Sequence, residues 1–239
     1  MLVFIIPLKS KKFAGSWDNV CRVFERCLKS VCNQTSDKFK VIVVCNEKPN
    51  IKFCHDNVEY IKVDFMPPEP CSADKYKKIE IGLVYAQKYN PKYFMHVDAD
   101  DCVNKNLVEF SEKNPKCDGW YFDSGYIYNE GSKFIFLRKK EFNTICGTCR
   151  IIRYKIIKSN KLPLHSHKCT IIYGHKLKPL PFIGSVYIRR HGETMADAQR
   201  RWKRKTTMRE VIINIKQMRH YRFLTKKLRD EFGVYKIKL

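Results

Sequence analysis

The fold is decided by the stretch YFMHVDADD, which occupies residues 93–101. Apolar and aromatic residues that are typical of a buried strand run straight into three carboxylates. Open α/β sheets bind their ligands at the carboxyl ends of their strands. We therefore expect Asp98, Asp100 and Asp101 to lie at a ligand-binding edge of a sheet.

The residues before this stretch alternate short β-branched runs with amphipathic segments. The runs at 2–6, 40–45 and 58–63 predict strands. Apolar residues recur at helical spacing after Ser16, a candidate N-cap, and again over 72–89. This alternation predicts an α/β fold in which helices flank a sheet.

The residues after the acidic cluster are more irregular. A helix is predicted over 106–113, and strands are predicted over 119–123 and 133–137. Residues 162–182 contain three histidines and several prolines with little periodicity. We interpret that segment as loops around a site.

The C-terminal residues differ in character from the rest of the chain. A basic run at 200–205 precedes apolar residues that recur at helical spacing over 208–218. These features predict a basic amphipathic helical extension at 199–239. We expect its apolar face to pack against the preceding domain, and the alternative is peripheral association with an anionic membrane.

The composition indicates which compartment and which partners the protein would have. The chain has 47 Lys and Arg against 24 Asp and Glu, a net charge of +23 that attracts polyanions without choosing among nucleic acid, anionic lipid and diphosphate. The eleven cysteines have no repeating spacing. They predict free thiols and a cytoplasmic protein, with structural roles for Cys146 and Cys149. No apolar run reaches the roughly 18 residues of a membrane span.

The acidic cluster itself points to a cation. Three carboxylates within four residues repel one another unless a cation lies among them. A divalent ion there would stabilise the nucleoside diphosphate that departs when sugar is transferred from a nucleotide. The alternative is an exposed acidic turn that caps the next helix.

The same stretch resembles the strand and DxD motif of GT-A glycosyltransferases, and of glycosyltransferase family 2 in particular. The segments LKSVCNQT at 28–35 and FKVIVV at 39–44 are also similar to that family. The resemblance implies a Rossmann-like mixed central sheet in a catalytic domain at 1–198. Residues 1–101 would bind the nucleotide sugar, and 102–198 would bind the acceptor. The implied activity is metal-dependent transfer of a sugar from a UDP- or GDP-type donor to a hydroxyl of a glycan or lipid-linked acceptor.

The resemblance also implies roles for individual residues. Asp98, Asp100 and His191 would bind Mn²⁺ or Mg²⁺, because these ions take carboxylate oxygens, and Mn²⁺ also takes an imidazole nitrogen. The base in this family is commonly an Asp of an ED pair, and residues 140–190 contain no such pair. Asp123, His165 and His167 are the available titratable groups for deprotonating the acceptor hydroxyl, and a retaining mechanism assisted by the leaving phosphate is the alternative. Asn46 stands where relatives carry an Asp that recognises the base, which leaves the nucleotide open. The expected nucleotide-sugar-binding residues are Pro7, Asn46, Asp74, Lys75, Lys78, Asp98, Ala99 and Asp100.

Two other functions remain as alternatives. The net charge and the aromatics Trp202, Tyr221 and Phe223 would suit a nucleic-acid-binding protein, although the sequence contains no recognised nucleic-acid motif and none is expected as a partner. A nucleotidyltransferase on a related sheet is the second alternative. Its phosphate loop would be basic and glycine-rich, whereas residues 8–12 are basic without glycine.

Overall fold

A computed structural model describes residues 1–158, 168–194 and 218–237 of the chain. Within those ranges its helices are α1 (Trp17–Cys32), α2 (Cys71–Ala86), α3 (Leu107–Lys113), α4 (Tyr154–Lys158) and α5 (Lys226–Phe232). Its strands are β1 (Leu2–Pro7), β2 (Phe39–Cys45), β3 (Val58–Lys62), β4 (Tyr93–His96), β5 (Cys102–Val103), β6 (Gly119–Tyr121), β7 (Gly125–Asn129), β8 (Phe134–Arg138), β9 (Arg150–Arg153), β10 (Ile171–Ile172), β11 (His175–Lys176), β12 (Lys178–Pro179), β13 (Ser185–Arg189) and β14 (Tyr221–Phe223).

The central sheet has seven strands in the order β12-β6-β9-β4-β1-β2-β3. Strands β1 to β4 pair in parallel, whereas β9 runs antiparallel between β4 and β6. The predicted mixed sheet with flanking helices is therefore confirmed. Parallel pairing also brings the carboxyl ends of β1 and β4 to one edge, where the acidic cluster follows β4.

Both faces of this sheet are buried, as its continuous apolar runs require. Alternate residues of β1 point to opposite faces. Phe4 packs in a core with Phe24 of α1, and Ile5 packs in a second core with Ile79 of α2. Gly82 of α2 permits the close approach on that side, because a Cβ there would lie 2.6 Å from Ile5.

A second sheet begins directly after the acidic cluster. Its five strands follow the order β14-β8-β7-β13-β5, and β13 pairs with β5 immediately after the cluster. Its core contains Val186 and Ile188 of β13, with Phe232 of α5. Sequence periodicity did not predict β9 or β13, since both are short and are defined by long-range pairing.

The C-terminal extension is described only in part. Residues 218–237 contain β14, which pairs with β8, and the short helix α5. A strand thus occurs in a region that was predicted to be helical. The predicted helix over 208–217 and the basic run at 200–205 lie outside the described ranges. Among the helices that are described, none is long and apolar enough to cross a membrane.

A buried ion pair connects α1 to the second sheet. Arg26 Nη1 lies 2.7 Å from Glu130 Oε2, with side-chain exposures of 0% and 2%. The same Nη1 donates to the carbonyl of Tyr235, while Glu130 Oε1 accepts from the backbone NH of Ile237. This pair therefore fixes the C-terminal segment as well as α1.

We expect Glu130→Ala to destabilise the fold by about 3–5 kcal/mol, because it leaves the buried Arg26 guanidinium without its counter-charge. Chemical denaturation monitored by circular dichroism would measure this loss. Glu25→Ala is the matched control, because Glu25 lies next to Arg26 on α1 and its partner Lys29 has a side chain that is 41% exposed, so that pair contributes little. An equal loss of unfolding free energy in the two variants would contradict a stabilising role for the Arg26–Glu130 pair.

Candidate functional site

The acidic cluster forms a tight turn at the mouth of a cavity of about 200 Å³. The backbone NH of Asp101 donates to the carbonyl of Asp98 across 3.1 Å, which closes the turn. The cavity lies between the carboxyl ends of β1 and β4, the N-terminal turn of α2 and the segment that follows β13. Its lining residues are Pro7, Leu8, Lys9, Val20, Val23, Cys71, Asp74, Lys75, Asp98, Ala99, Asp100, Tyr187, Glu193 and Thr194.

Asp98 is paired within the protein. Its Oδ1 lies 2.5 Å from Lys75 Nζ and 2.8 Å from His96 Nε2. Burial raises the pKa of Asp98, but Lys75 and His96 outweigh it and hold the pKa below its ordinary value. Burial and the charge of Lys75 lower the pKa of His96. At neutral pH the group therefore consists of a carboxylate, an ammonium and a neutral imidazole.

Asp101 holds the turn in place from inside the protein. Its fully buried carboxylate accepts from Thr148 Oγ1 at 2.7 Å and from the backbone NH of Ile188 at 3.1 Å. The Sγ of Cys146 lies 3.4 Å from the same carboxylate. Burial, followed by the nearby Asp100 and Asp98, raises the pKa of Asp101 well above its ordinary value. Asp101 thus joins the turn to β13 and to the segment before β9.

The segment Cys146-Gly147-Thr148-Cys149 packs directly on the turn. Thr148 Oγ1 accepts from the backbone NH of Asp98 at 2.9 Å. A Cβ on Gly147 would lie 2.5 Å from Asp98 Oδ2 and 3.1 Å from Lys75 Nζ, so a glycine is needed there. Cys146 and Cys149 are both buried, and neither forms a disulfide among the described residues. The structural role expected of them stays a prediction.

Asp100 contacts His191, the histidine that was predicted as a metal ligand. His191 Nε2 lies 3.0 Å from Asp100 Oδ2, and the imidazole is fully buried. Neither ring nitrogen of His191 makes a hydrogen bond with any group in the described ranges. Nε2 thus faces the Asp100 carboxylate, whereas Nδ1 has no contact of this kind, and His191 does not line the cavity itself. Because a buried nitrogen without a hydrogen bond is costly, the two side chains are suited to sharing a bound ligand.

The backbone around His191 is anchored to the start of α1. Asn19 Nδ2 donates to the carbonyl of His191 at 2.5 Å. The carboxylate of Glu193 accepts from the backbone NH groups of Gly15 and Ser16, and it pairs with Lys9 at 3.1 Å. A carboxylate at a helix N-terminus is favoured by the helix dipole. Glu193 therefore positions the loop that carries His191.

The three residues predicted to hold a metal ion divide into two groups. In the part of the chain that the structure describes, no cluster of three or more His, Cys, Asp or Glu side chains is arranged to hold a metal. Asp98 is engaged by Lys75 and His96, which leaves Asp100 and His191. A carboxylate oxygen and an imidazole nitrogen suit Mn²⁺, and Mg²⁺ sites commonly add substrate phosphates and waters to one or two carboxylates. This pair fits a metal ion that would be completed by a diphosphate.

The residues predicted to bind the nucleotide sugar have different surroundings. Pro7, Asp74, Lys75, Ala99 and the two acidic residues Asp98 and Asp100 line the cavity. Lys78 does not line it, because its Nζ is buried between the Leu8 carbonyl and Asp74 Oδ2, both at 2.8 Å. The other oxygen of Asp74 is buried without a partner among the described residues. Asp74 therefore belongs to the cavity lining and keeps one carboxylate oxygen without a hydrogen bond to a described residue.

Two of the remaining predicted residues lie outside the cavity lining. Asn46 donates to the carbonyl of Phe65 at 2.9 Å and does not line the cavity. Asp123 accepts from the backbone NH of Glu141 at 2.9 Å and is likewise absent from the lining. His165 and His167 fall in the range 159–167, outside the described residues.

Sequence reasoning missed several lining residues. Tyr187 and Glu193 lie on either side of His191 in the chain, and Lys9 follows β1. Proximity in sequence to His191 was the one signal for the first two. Burial raises the pKa of Tyr187 to about 12, with smaller contributions from Asp101 and Asp100, so the phenol stays protonated at neutral pH.

Comparisons with known proteins give the following likenesses. No family model and no curated protein matches the chain. Among solved structures it is similar to S. aureus TarS 1-349, with 14% identity and a TM-score of 0.46 over 78% of this chain and 60% of that one. The same TarS fragment in complex with UDP gives 13% identity and a TM-score of 0.43 over 79% of this chain and 60% of that one. Francisella tularensis 2-C-methyl-D-erythritol 4-phosphate cytidylyltransferase gives 11% identity and a TM-score of 0.41 over 91% of this chain and 100% of that one.

This chain therefore spans 60% of the length of that TarS fragment. The seven-stranded mixed sheet with flanking helices, with an acidic turn at the carboxyl end of β4, is the α/β arrangement that the sequence predicted.

Gly147→Ala should displace Asp98 and Lys75, because the new Cβ would overlap Asp98 Oδ2. We expect the affinity for UDP with Mn²⁺ to fall at least about tenfold, since misplacement of a positioned group by an ångström is costly. Isothermal titration calorimetry would measure this affinity in the variant and in the wild-type protein.

Gly174→Ala is the matched control. Its Cβ would meet nothing within 4 Å, although its φ of +82° makes the substitution strained. It should lower thermal stability and leave nucleotide affinity unchanged. An unaltered affinity in Gly147→Ala would contradict the close packing described for Asp98.

Proposed function

We propose that this protein is a metal-dependent glycosyltransferase that moves a sugar from a nucleoside-diphosphate sugar to a hydroxyl of a glycan or lipid-linked acceptor. The observation that carries the proposal is the pair formed by Asp100 and His191. A buried imidazole without a hydrogen bond lies 3.0 Å from a carboxylate at the ligand-binding edge of the sheet. The ammonium of Lys75, held by Asp98 in the same cavity, adds a fixed positive charge.

The cavity has separate features for the parts of a donor. Pro7, Leu8, Val20 and Val23 supply an apolar wall that suits a flat base. The unpaired oxygen of Asp74 supplies an acceptor for a base NH or a ribose hydroxyl. Lys75 and Asp100 also line the cavity, and His191 contacts Asp100 without lining the cavity itself. We assign the diphosphate to these groups. This division favours a UDP- or GDP-type donor over a neutral ligand.

The chemistry of transfer requires stabilisation of the leaving diphosphate. A Mn²⁺ or Mg²⁺ ion held by Asp100 and His191 would offset the negative charge that develops there. The Lys75 ammonium acts in the same direction. Burial lowers the pKa of Lys75, but Asp98 outweighs it and raises the pKa above its ordinary value, so the ammonium remains charged across the physiological range. Asp98 thereby orients a permanent cation toward the donor.

The group that deprotonates the acceptor stays a prediction among Asp123, His165 and His167. Two lining residues are less suited to that role. Glu193 is engaged by Lys9 and by the start of α1, and Tyr187 stays protonated. Tyr187 can instead donate its hydroxyl hydrogen to donor or acceptor.

The working compartment follows from the cysteines. In the described ranges every cysteine is a free thiol, and most are buried. Free thiols persist in reducing compartments. We therefore infer a cytoplasmic enzyme. Peripheral attachment to an anionic membrane through 199–239 stays the alternative to packing of that segment on the preceding domain.

Calorimetric titration with UDP, GDP, CDP and CTP, each with and without Mn²⁺, tests the proposal. We expect one nucleoside diphosphate to bind only with Mn²⁺. Asp100→Ala should weaken that binding by about 10- to 100-fold, because it removes one of two protein ligands. Asp37→Ala, which removes an exposed carboxylate outside the cavity, is the charge-matched control and should leave the affinity unchanged.

The other outcomes are equally informative. Binding that is independent of Mn²⁺ or insensitive to Asp100→Ala would overturn the proposed site. Preference for CTP over every diphosphate would favour the nucleotidyltransferase alternative, which uses an intact triphosphate.

A further inference from the structure

A basic groove of about 630 Å³ lies on the second sheet, beside the donor cavity. It is bordered by the β8 hairpin, the end of β13 and the start of β14. Its charged lining side chains are all basic: Arg138, Lys139, Lys140, Arg189, Arg190 and Arg219. A groove lined by one sign of charge concentrates ligands of the opposite sign.

Two nitrogens in this groove lack partners. Arg189 Nε and His220 Nδ1 are buried, and neither makes a hydrogen bond with a described residue. Burial lowers the pKa of His220, and the neighbouring Lys139, Arg219 and Arg222 lower it further. Buried donors without acceptors are costly, so an anionic oxygen would offset this cost.

The groove also carries aromatic surface. Phe134 and Tyr221 line it and are exposed, and Phe136 packs edge-on against Tyr221 with ring centroids 5.2 Å apart. Exposed aromatic faces among cations offer apolar contact for sugar rings between charged groups. A lone phosphate would use the cations alone, whereas an extended chain would use both.

The groove and the donor cavity share β13. Tyr187 lines the cavity and Arg189 lines the groove, two residues further along the same face of the strand. The Arg189 guanidinium lies over the Tyr187 ring, with its Cζ atom 4.5 Å from the ring centroid. Arg190 then precedes His191 of the candidate metal pair. A chain bound in the groove would therefore lead toward the site of transfer.

We propose that this groove binds the acceptor, and that the acceptor is a glycan-like chain bearing repeated oxyanion groups, either phosphates or carboxylates. This inference rests on the proposed function, since it names the second substrate of the same site. One acidic residue is near: Glu141 lies 3.8 Å from Arg138, but it is 75% exposed and leaves the other cations of the lining available.

Fluorescence anisotropy with labelled inorganic polyphosphate, polygalacturonate, neutral dextran and poly(dT) tests the proposal on the full chain. Lys139→Ala/Lys140→Ala removes two exposed groove charges. Lys116→Ala/Lys176→Ala removes two exposed charges outside the groove and is the matched control. We expect the groove variant to lose at least about tenfold in affinity for one anionic chain, and the control to lose less than about twofold. Neutral dextran should not compete.

The chain that binds identifies the oxyanion. Preference for polyphosphate indicates a phosphate-bearing acceptor, and preference for polygalacturonate a carboxylate-bearing one. Equal losses in both variants would show diffuse attraction to the whole surface and overturn the proposal. Tighter binding of poly(dT), lost in the groove variant, would assign the groove to nucleic acid and also overturn it. Titration of the same preparations with UDP and Mn²⁺ separates the two proposals, because the groove variant should keep wild-type donor affinity.

Discussion

The buried carboxylate of Asp101 is the constraint on which the rest of the site depends. It accepts from Thr148 and from the backbone of Ile188, so it ties the turn after β4 to the segment before β9 and to β13. Burial raises the pKa of this carboxyl group, and its hydrogen bonds from Thr148 and Ile188 oppose that rise. Through these contacts the central sheet and the second sheet meet at one point. The cavity and the basic groove both border that junction.

This junction gives neighbouring carboxylates different properties. Asp98 and Asp100 are two positions apart, yet Asp98 pairs with the Lys75 ammonium and contacts the neutral imidazole of His96, whereas Asp100 faces a buried imidazole that makes no hydrogen bond with a described residue. A protein that placed three like charges together without such partners would lose stability. In our proposal Asp98 organises a fixed cation and Asp100 remains available to a bound one. The arrangement suits a diphosphate, which carries charge that both cations can oppose.

The fold was predictable from the sequence where periodicity was strong. Strands β1 to β4 and helices α1 and α2 follow from apolar runs and helical spacing, and their order implies a sheet flanked by helices. Strands β9 (RIIR) and β13 (SVYIR) were missed because a short apolar run in each is flanked by basic or small polar residues and each strand forms through pairing with distant strands. Short segments carry too little pattern to distinguish a strand from a loop.

The site was predictable only at its centre. The acidic cluster was evident from its position after an apolar run, and His191 came from the family resemblance. The different partners of Asp98 and Asp100 could not be predicted, because Lys75 and His191 are brought to them by the tertiary fold. The need for glycine at 147 arises in the same way, from a contact with Asp98 that no local pattern encodes.

The most direct test of the central claim is a crystal structure of the protein with UDP and Mn²⁺, with anomalous diffraction to locate the metal. The account predicts a manganese peak within coordinating distance of Asp100 Oδ2 and His191 Nε2, with the diphosphate on the metal and near Lys75. A peak elsewhere, or a nucleotide bound outside the cavity between β1 and β4, would contradict it.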